Sequence, residues 1–331
     1  MFIFIPSRAL PPANPSTKAD QIATLFTHLN ANTKWTLVDK IHLGGNVGEP
    51  EGLVRLSSPN TTNDDARYAV SLGHFPLGPP PYPFGKRING TDHTAGAGTA
   101  HLDLFDGTGT RIADAQLSGK LGEDGEYHPG GIDYDGRHIW MTTAQYRPNS
   151  TARVVRVDPW PLRAETLFRA DDHYGAVARD TRDNKLLALN WGSREAAVWD
   201  LDGCGYGGCC CGGNGGVPDI ADFAKPAENI RNPSFFIDYQ DCKFLGYPVL
   251  YGGERTVMIC AGVSGRVGGL ALVDIKSIVP LAEVPLPMKS SWGGVITQNP
   301  FDVDVVGRRG VLYAVSTHWD GTCIVMRRRL F

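Results

Sequence analysis

Polar residues recur four positions ahead of an apolar one, each at the head of a short run with strand character. The pairs are Glu49/Leu53, His128/Ile132, His173/Val177, Gln240/Phe244 and Asn299/Val303. A second run of strand character follows each of them. A supersecondary unit repeated at this scale predicts a solenoid or a propeller. The runs are short and bounded by turn residues, with 40 glycines and 23 prolines in the chain, so an all-β fold is expected. Helical periodicity is nearly missing; residues 20–29 form the best short candidate.

The runs sort into units of four. The first is 52–56, 67–72, 100–105 and 111–117; the second is 131–134, 138–143, 153–158 and 165–168. The third is 175–179, 185–189, 196–201 and 235–238; the fourth is 242–245, 257–261, 269–275 and 281–286. The fifth has only 301–306, 311–316 and 323–327, while a run at 36–43 is left over. Placing that run as the missing fourth strand covers an otherwise open sheet edge. The expected architecture is a single five-bladed β-propeller over residues 35–331, closed by an N-terminal strand and preceded by an arm at 1–34. A six-bladed ring is the alternative, with its extra blade inside 205–236 or 73–99.

In such a unit the first strand begins, and the second ends, at one mouth of the axis. Residues at those two places therefore meet on one face. The first set brings Glu49, Glu51, His128, His173, Gln240, Asp241 and Asn299. The second brings His74, Tyr146, Arg147, Asn190, Trp191, Arg194, His318 and Trp319. The proline-rich run after His74 leaves the same mouth and is expected to form a lid, with Tyr82 and Phe84 leaning over the channel. Histidines and carboxylates beside Tyr, Trp and Arg in one concavity suit a small-molecule site. Polar groups at strand tips also satisfy backbone groups or hold water, which is their purely structural use.

Bulk chemistry narrows the partners. Net charge is −3, so the basic footprint of a nucleic-acid binder is missing. No apolar run approaches the roughly 20 residues of a membrane span, and no membrane partner is expected. Met1 to Ile5 is apolar but short and lacks a basic flank, unlike a signal peptide. Of seven cysteines, four crowd between Cys204 and Cys211 in a Cys/Gly-rich insert at about 203–216. No histidine lies nearby to complete a tetrahedral metal set, so a stapled surface loop is the better reading. Cys242 and Cys260 fall on neighbouring expected strands, as core thiols or as a bridge. Those cysteines and the Asn-x-Thr triplets at Asn60, Asn89 and Asn149 tilt localisation toward the secretory route. No serine-nucleophile elbow, zinc-protease motif, phosphate loop or dinucleotide fingerprint is present.

The segments His128-Pro-Gly-Gly-Ile-Asp-Tyr-Asp-Gly, Ile139-Trp140, Tyr146-Arg-Pro-Asn-Ser and Val157-Asp-Pro carry a resemblance. His173-Tyr-Gly-Ala-Val-Ala-Arg-Asp, Asn190-Trp-Gly-Ser-Arg and Tyr239-Gln-Asp-Cys extend it. Over about residues 36–331 the chain resembles a fungal and bacterial propeller family of largely unassigned function, one that includes the hetero-Diels–Alderases of tropolonic sesquiterpene biosynthesis. That resemblance implies dehydration of a hydroxymethyl tropolone to a quinone methide, then cycloaddition to a humulene-type alkene, with no cofactor. The tract Cys209-Cys210-Cys211 does not map onto the family.

Loss of water needs an acid near the leaving hydroxyl and a base for the tropolone proton. His128 and His173, partnered by Glu49, Glu51 or Asp241, are the expected catalytic groups. Arg147 or Arg194 would take the tropolonate oxygens, and Trp191, Trp319 and the lid would hold the hydrocarbon. Two other readings use the same ring. Glu51, His128, His173 and Asn299 would ligate the ion of a metal-dependent hydrolase or lactonase. A non-catalytic small-molecule binder would use the face without turnover.

Overall fold

The computed structural model describes residues 15–45, 48–56, 67–88, 90–118, 125–202, 223–290, 293–298, 300–306, 309–317 and 323–330. It begins with a helix, α1 (Pro15–Phe26), whose Ala19, Ile22, Ala23 and Phe26 pack on two neighbouring sheets. The described residues after it are strand, turn and short 3-10 segments.

The strand β1 (Trp35–Leu43) is paired far across the sequence. The first consecutive sheet is β2 (Glu49–Arg55), β3 (Arg67–Leu77), β4 (Ala97–Asp106) and β5 (Arg111–Gln116), in that order. The second holds β6 (His128–Pro129), β7 (Asp133–Tyr134), β8 (Ile139–Ala144), β9 (Ala152–Pro159) and β10 (Leu162–Ala170). The third is β11 (Tyr174–Asp180), β12 (Lys185–Asn190), β13 (Glu195–Asp200) and β14 (Glu228–Arg231). The fourth is β15 (Asp238–Gly246), β16 (Val257–Ser264), β17 (Val267–Asp274) and β18 (Pro280–Pro285). The last is β19 (Phe301–Val306), β20 (Arg309–Thr317) and β21 (Cys323–Leu330), with β1 antiparallel to β21 as its fourth strand. Four of these sheets are regular four-stranded units; in the second the inner edge is broken into the two-residue strands β6 and β7. The chain is all-β with a propeller-like arrangement of small sheets.

Alternation along each strand puts apolar side chains on both faces, and consecutive sheets bury those faces against each other. Leu53, Val70 and Phe105 of the first sheet meet Val311, Tyr313 and Val315 of the last. Val54, Leu102 and Leu104 meet Ile139, Met141 and Val155 of the second. Trp140 and Val154 meet Val177, Leu186 and Trp199 of the third; Leu187 and Val198 meet Met258 and Val273 of the fourth. Ile259 and Leu272 of the fourth meet Phe301 and Leu312 of the last.

The innermost strands approach one another without pairing as a sheet, so their inward N–H groups need other acceptors. Two buried aspartates, Asp133 and Asp241, and the half-buried Asp302 supply them. Asp241 accepts from Leu53 N (3.4 Å), Ile132 N (3.1 Å) and Phe301 N (3.1 Å), which belong to three other sheets. Asp133 accepts from Arg179 N (2.8 Å) and Phe244 N (3.0 Å), and Asp302 from Arg55 N (2.8 Å). The Lys243 ammonium closes the hub, bonding the Asp241 carboxylate and the Ile132 carbonyl. Backbones also touch: a Cβ at Gly130 would lie 1.9 Å from the Gly175 carbonyl oxygen. These contacts tie the inner strands into a floor; above it, at the mouth where those strands begin, the side chains of a cup gather.

Some strand positions differ from expectation. The fourth strand of the third sheet is Glu228–Arg231, not 235–238. An outer strand needs only one apolar face, and Ile230 alone supplies it, whereas the stronger apolar run at 235–237 leads straight into β15. Between Leu77 and Ala97 the described residues form the short bridges Pro81–His93 and Ile88–Thr91 and a 3-10 turn at Pro83–Gly85, with no additional sheet. Cys242 and Cys260 sit directly opposite on β15 and β16, fully buried, and are joined as a disulfide with Sγ–Sγ 2.01 Å. The Cys/Gly-rich insert lies outside the described residues. Among the described residues no helix is long and apolar enough to cross a membrane.

Candidate functional site

At the open mouth the heads of β2, β6 and β11 bring carboxylates and imidazoles together. His128 Nε2 lies 3.5 Å from Glu51 Oε1, longer than a closed hydrogen bond and within reach of a small tightening. The His128 ring belongs to a triangle of touching rings, with Tyr146 at 4.0 Å and Phe75 at 5.4 Å from it and 5.2 Å from each other between centroids. His128 is 9% exposed, and its Nδ1 is buried with no hydrogen-bond partner among the described residues. His173 stands beside it, 5.5 Å between rings, and the edge of Trp191 packs on His173 at 4.7 Å.

The backbone decides the His173 tautomer. His173 Nδ1 is 2.7 Å from the Gln145 carbonyl, which only accepts, so Nδ1 carries the proton and Nε2 the lone pair. The Asp172 carboxylate pins the loop by accepting from His173 N (2.7 Å) and Asn190 Nδ2 (3.1 Å). Asn190 Oδ1 in turn accepts from Glu195 N, so Asn190 supports the loop rather than a ligand.

Burial sets the protonation. It pushes the Glu51 carboxyl up to about 8, whereas His128 falls to about 4 through burial, partly offset by Glu49. Burial, then the neighbouring His128, takes His173 down to about 3. At neutral pH the site is a protonated Glu51 facing two uncharged imidazoles. This has a consequence for stability. Both histidines titrate near 6.5 when unfolded, so between about pH 6.5 and 4 the unfolded chain binds more protons than the folded one. Stability should therefore fall as pH drops through that window, by about 1.4 kcal/mol per pH unit for each histidine. Urea unfolding of the native chain and of His128→Gln across this range should show the smaller slope in the variant. Glu51 acts in the opposite sense, losing stability as pH rises from about 4.5 to 8, and is common to both proteins.

Not every expected residue joins this cluster. Asp241 is in the floor, its oxygens engaged by backbone N–H groups and Lys243, because it lies inside the strand rather than at its head. Arg194 is spent on the Gly192 and Ser234 carbonyls and the Ser193 hydroxyl, so its guanidinium staples two loops. Phe84 does not lean over the channel; it is 99% exposed. Tyr82 does point back, accepting from Arg147 Nη1 at 2.7 Å, while Arg147 Nε donates to Gln145 Oε1. His74 packs edge-on against His101 at 5.1 Å, away from His128. Gln240 is half-buried ahead of the floor, and Glu49 is exposed at the rim. Asn299, His318 and Trp319 lie outside the described residues.

Three residues were missed. Phe75 caps His128 because the ladder between β3 and β4 shifts register between His74 and Leu77. Tyr127 packs on Phe75, and its hydroxyl bonds the Ala95 carbonyl. Lys243 was legible as the one cation of an inner strand that also carries Asp238 and Asp241. Of the expected ligand set Glu51, His128, His173 and Asn299, the last lies outside the described residues and the first three do not converge: the one group of three among the described residues with ligand atoms within 4.8 Å of one another is His101, Asp103 and Asp114. Arg111 Nη1 already lies 3.2 Å from Asp103 there, neutralising that group.

Solved structures resemble the chain only distantly. Hydrazine synthase from Kuenenia stuttgartiensis aligns at TM-score 0.37 and 9% identity over 86% of this chain and 60% of its own. An apocarotenoid oxygenase variant from Synechocystis aligns at 0.34 and 11% over 81% and 56%. CoXyl43, a GH43 β-xylosidase/α-arabinofuranosidase from a compost metagenome, aligns at 0.38 and 9% over 86% and 98%. The chain thus spans less than two thirds of the first two, and likenesses this distant carry no function. No curated protein matches it in sequence. A family model does: it covers residues 85–322, more than half of the chain, and the protein belongs to the family of unknown function DUF6454.

Proposed function

We propose that the chain closes as a five-bladed propeller whose mouth carries out acid–base chemistry on a small, largely apolar organic molecule. Pairing of β1 with β21, and a buried core between the fourth and last sheets, support the closed ring. The observation that carries the chemistry is the Glu51–His128 contact at 3.5 Å under the stacked rings of Tyr146 and Phe75. A carboxyl kept neutral at neutral pH by burial is suited to give a proton to a leaving hydroxyl. His173 Nε2 carries the lone pair that takes one, once charge developing on the substrate offsets the burial that weakens this imidazole as a base. Phe75, Tyr146 and Trp191 offer flat apolar faces to a planar substrate.

In its specific form this is the reaction implied by the hetero-Diels–Alderase resemblance. Glu51 protonates the hydroxyl of a hydroxymethyl tropolone, the C–O bond breaks and water leaves. His173 takes the tropolone hydroxyl proton, giving a neutral quinone methide, and the proton returns through solvent to Glu51. Elimination of water changes no oxidation state and calls for no redox cofactor. The cycloaddition that follows needs orientation, which a bound pose against the aromatic wall supplies.

The test is turnover of a hydroxymethyl tropolone with a humulene-type alkene as trap. Activity should fall as pH rises past about 8, since the acid form of Glu51 is the working one. A rate flat through that region, or turnover surviving His128→Ala combined with His173→Ala, would sink the assignment.

A further inference from the structure

The mouth face exposes aromatic side chains that the cup does not use. Phe84 is 99% exposed and Phe235 74% exposed. Leu77 and Ile88, on the same excursion as Phe84, are also exposed. Phe84 follows β3, whose C-terminal end lies at the mouth, and Phe235 immediately precedes β15, whose first residues lie at the same mouth.

The excursion holding Phe84 is built, not slack. Tyr82 N donates to Asp92 O at 2.7 Å, Ile88 N to Thr91 O at 2.8 Å and Thr94 N to Pro80 O at 2.9 Å. Arg147 ties Tyr82 to the second sheet. Phe84 itself has φ +61°, in the left-handed region that a bulky residue rarely takes. The tight turn at Pro83–Gly85 thus fixes a large apolar ring pointing into solvent. Exposed apolar clusters of this kind mark contact surfaces.

The neighbours of Phe84 indicate what it contacts. Lys86 and Arg87 are exposed close behind it, a cationic pair between the exposed apolar side chains of Phe84 and Ile88. Arg194 lies over the Phe235 ring at 4.8 Å. Aromatic rings beside basic side chains suit the headgroup level of a bilayer, where the ring enters the acyl boundary and the cation meets phosphate. From these surface residues we infer that the mouth face docks on an anionic lipid surface, with Phe84 and Phe235 as anchors and Lys86 and Arg87 as the charge contacts. The expectation of no membrane partner rested on the lack of a spanning segment, and a surface contact needs none. Such docking would bring the aromatic cup to where apolar molecules concentrate.

The experiment is co-sedimentation of the full chain with vesicles of phosphatidylcholine alone, or with about a third phosphatidylserine, at low and high salt. The native chain should pellet with the anionic vesicles, more strongly at low salt. Phe84→Ser with Phe235→Ser should weaken binding about tenfold or more, and Lys86→Glu with Arg87→Glu should abolish the preference for anionic lipid. Circular dichroism should show all variants folded, since each change is at the surface. A native chain that stays in the supernatant with both vesicles, or variants that pellet like it, overturns the inference. So does a dimer in solution that Phe84→Ser returns to monomer, since the tip would then serve self-association.

Discussion

Asp241→Ala should be the most destabilising single change in the chain, at about 3 to 5 kcal/mol. Its carboxylate serves three backbone N–H groups from three other sheets, and Lys243. Burial pushes this carboxyl up, and the Lys243 charge and backbone donors pull it back. Alanine would leave those donors and a buried ammonium without their acceptor, and each such loss costs more than the bond had contributed. Total stabilities of single domains run about 5–15 kcal/mol, so the variant should melt many degrees lower or fail to accumulate. Asp241→Asn keeps the shape and one acceptor and should lose less. Asp302→Ala removes one bond that reaches another sheet and should lose less still. Lys243→Met combined with Asp241→Asn isolates the ion pair in a double-mutant cycle. If Asp241→Ala melts within a few degrees of the native chain, the hub does not hold the sheets together.

The same motif thus reads two ways, and the difference lies in position. His128 begins its strand, His173 immediately precedes one and Glu51 is the third residue of β2, so all three lie near the mouth. Gln240 and Asp241 look alike in the sequence, yet β15 begins at Asp238, two to three residues earlier than the motif implies. That shift places Asp241 inside the hub. Counting polar–apolar pairs locates the ring but not the depth of each member. Depth depends on where the inner strands meet, and Gly52, Gly130 and Gly131 allow that meeting to be closer than any side chain would permit.

The lid was misjudged for a related reason. Proline content told that residues 76–84 leave the mouth, and they do, but the turn at Pro83–Gly85 decides which way Phe84 faces. Phe75 was hidden by the register shift after His74, which no local pattern announces. The outer strand β14 was too polar to register beside the stronger run that follows it. What periodicity shows well is repeated burial between sheets; what it shows poorly is direction at bends and bulges.

The sharpest test of the chemistry is Glu51→Gln. Glutamine preserves the volume and a hydrogen bond toward His128 but has no proton to give. If Glu51 is the acid, kcat should fall about 100- to 10,000-fold while affinity for the substrate stays within about threefold. Glu51→Asp shortens the reach beyond the present 3.5 Å and should retain partial activity with its decline still near the upper end of neutral pH. Glu49 is the internal control. It stands at the same mouth but exposed, so Glu49→Gln should change kcat by less than about threefold. Equal losses in the two variants would mean that negative charge at the rim, not a buried proton, is what the site uses. A proton donor and a charged rim also differ in salt response: burial shields Glu51, whereas an exposed Glu49 is screened. Glu51→Gln should therefore show the same deficit at low and high ionic strength.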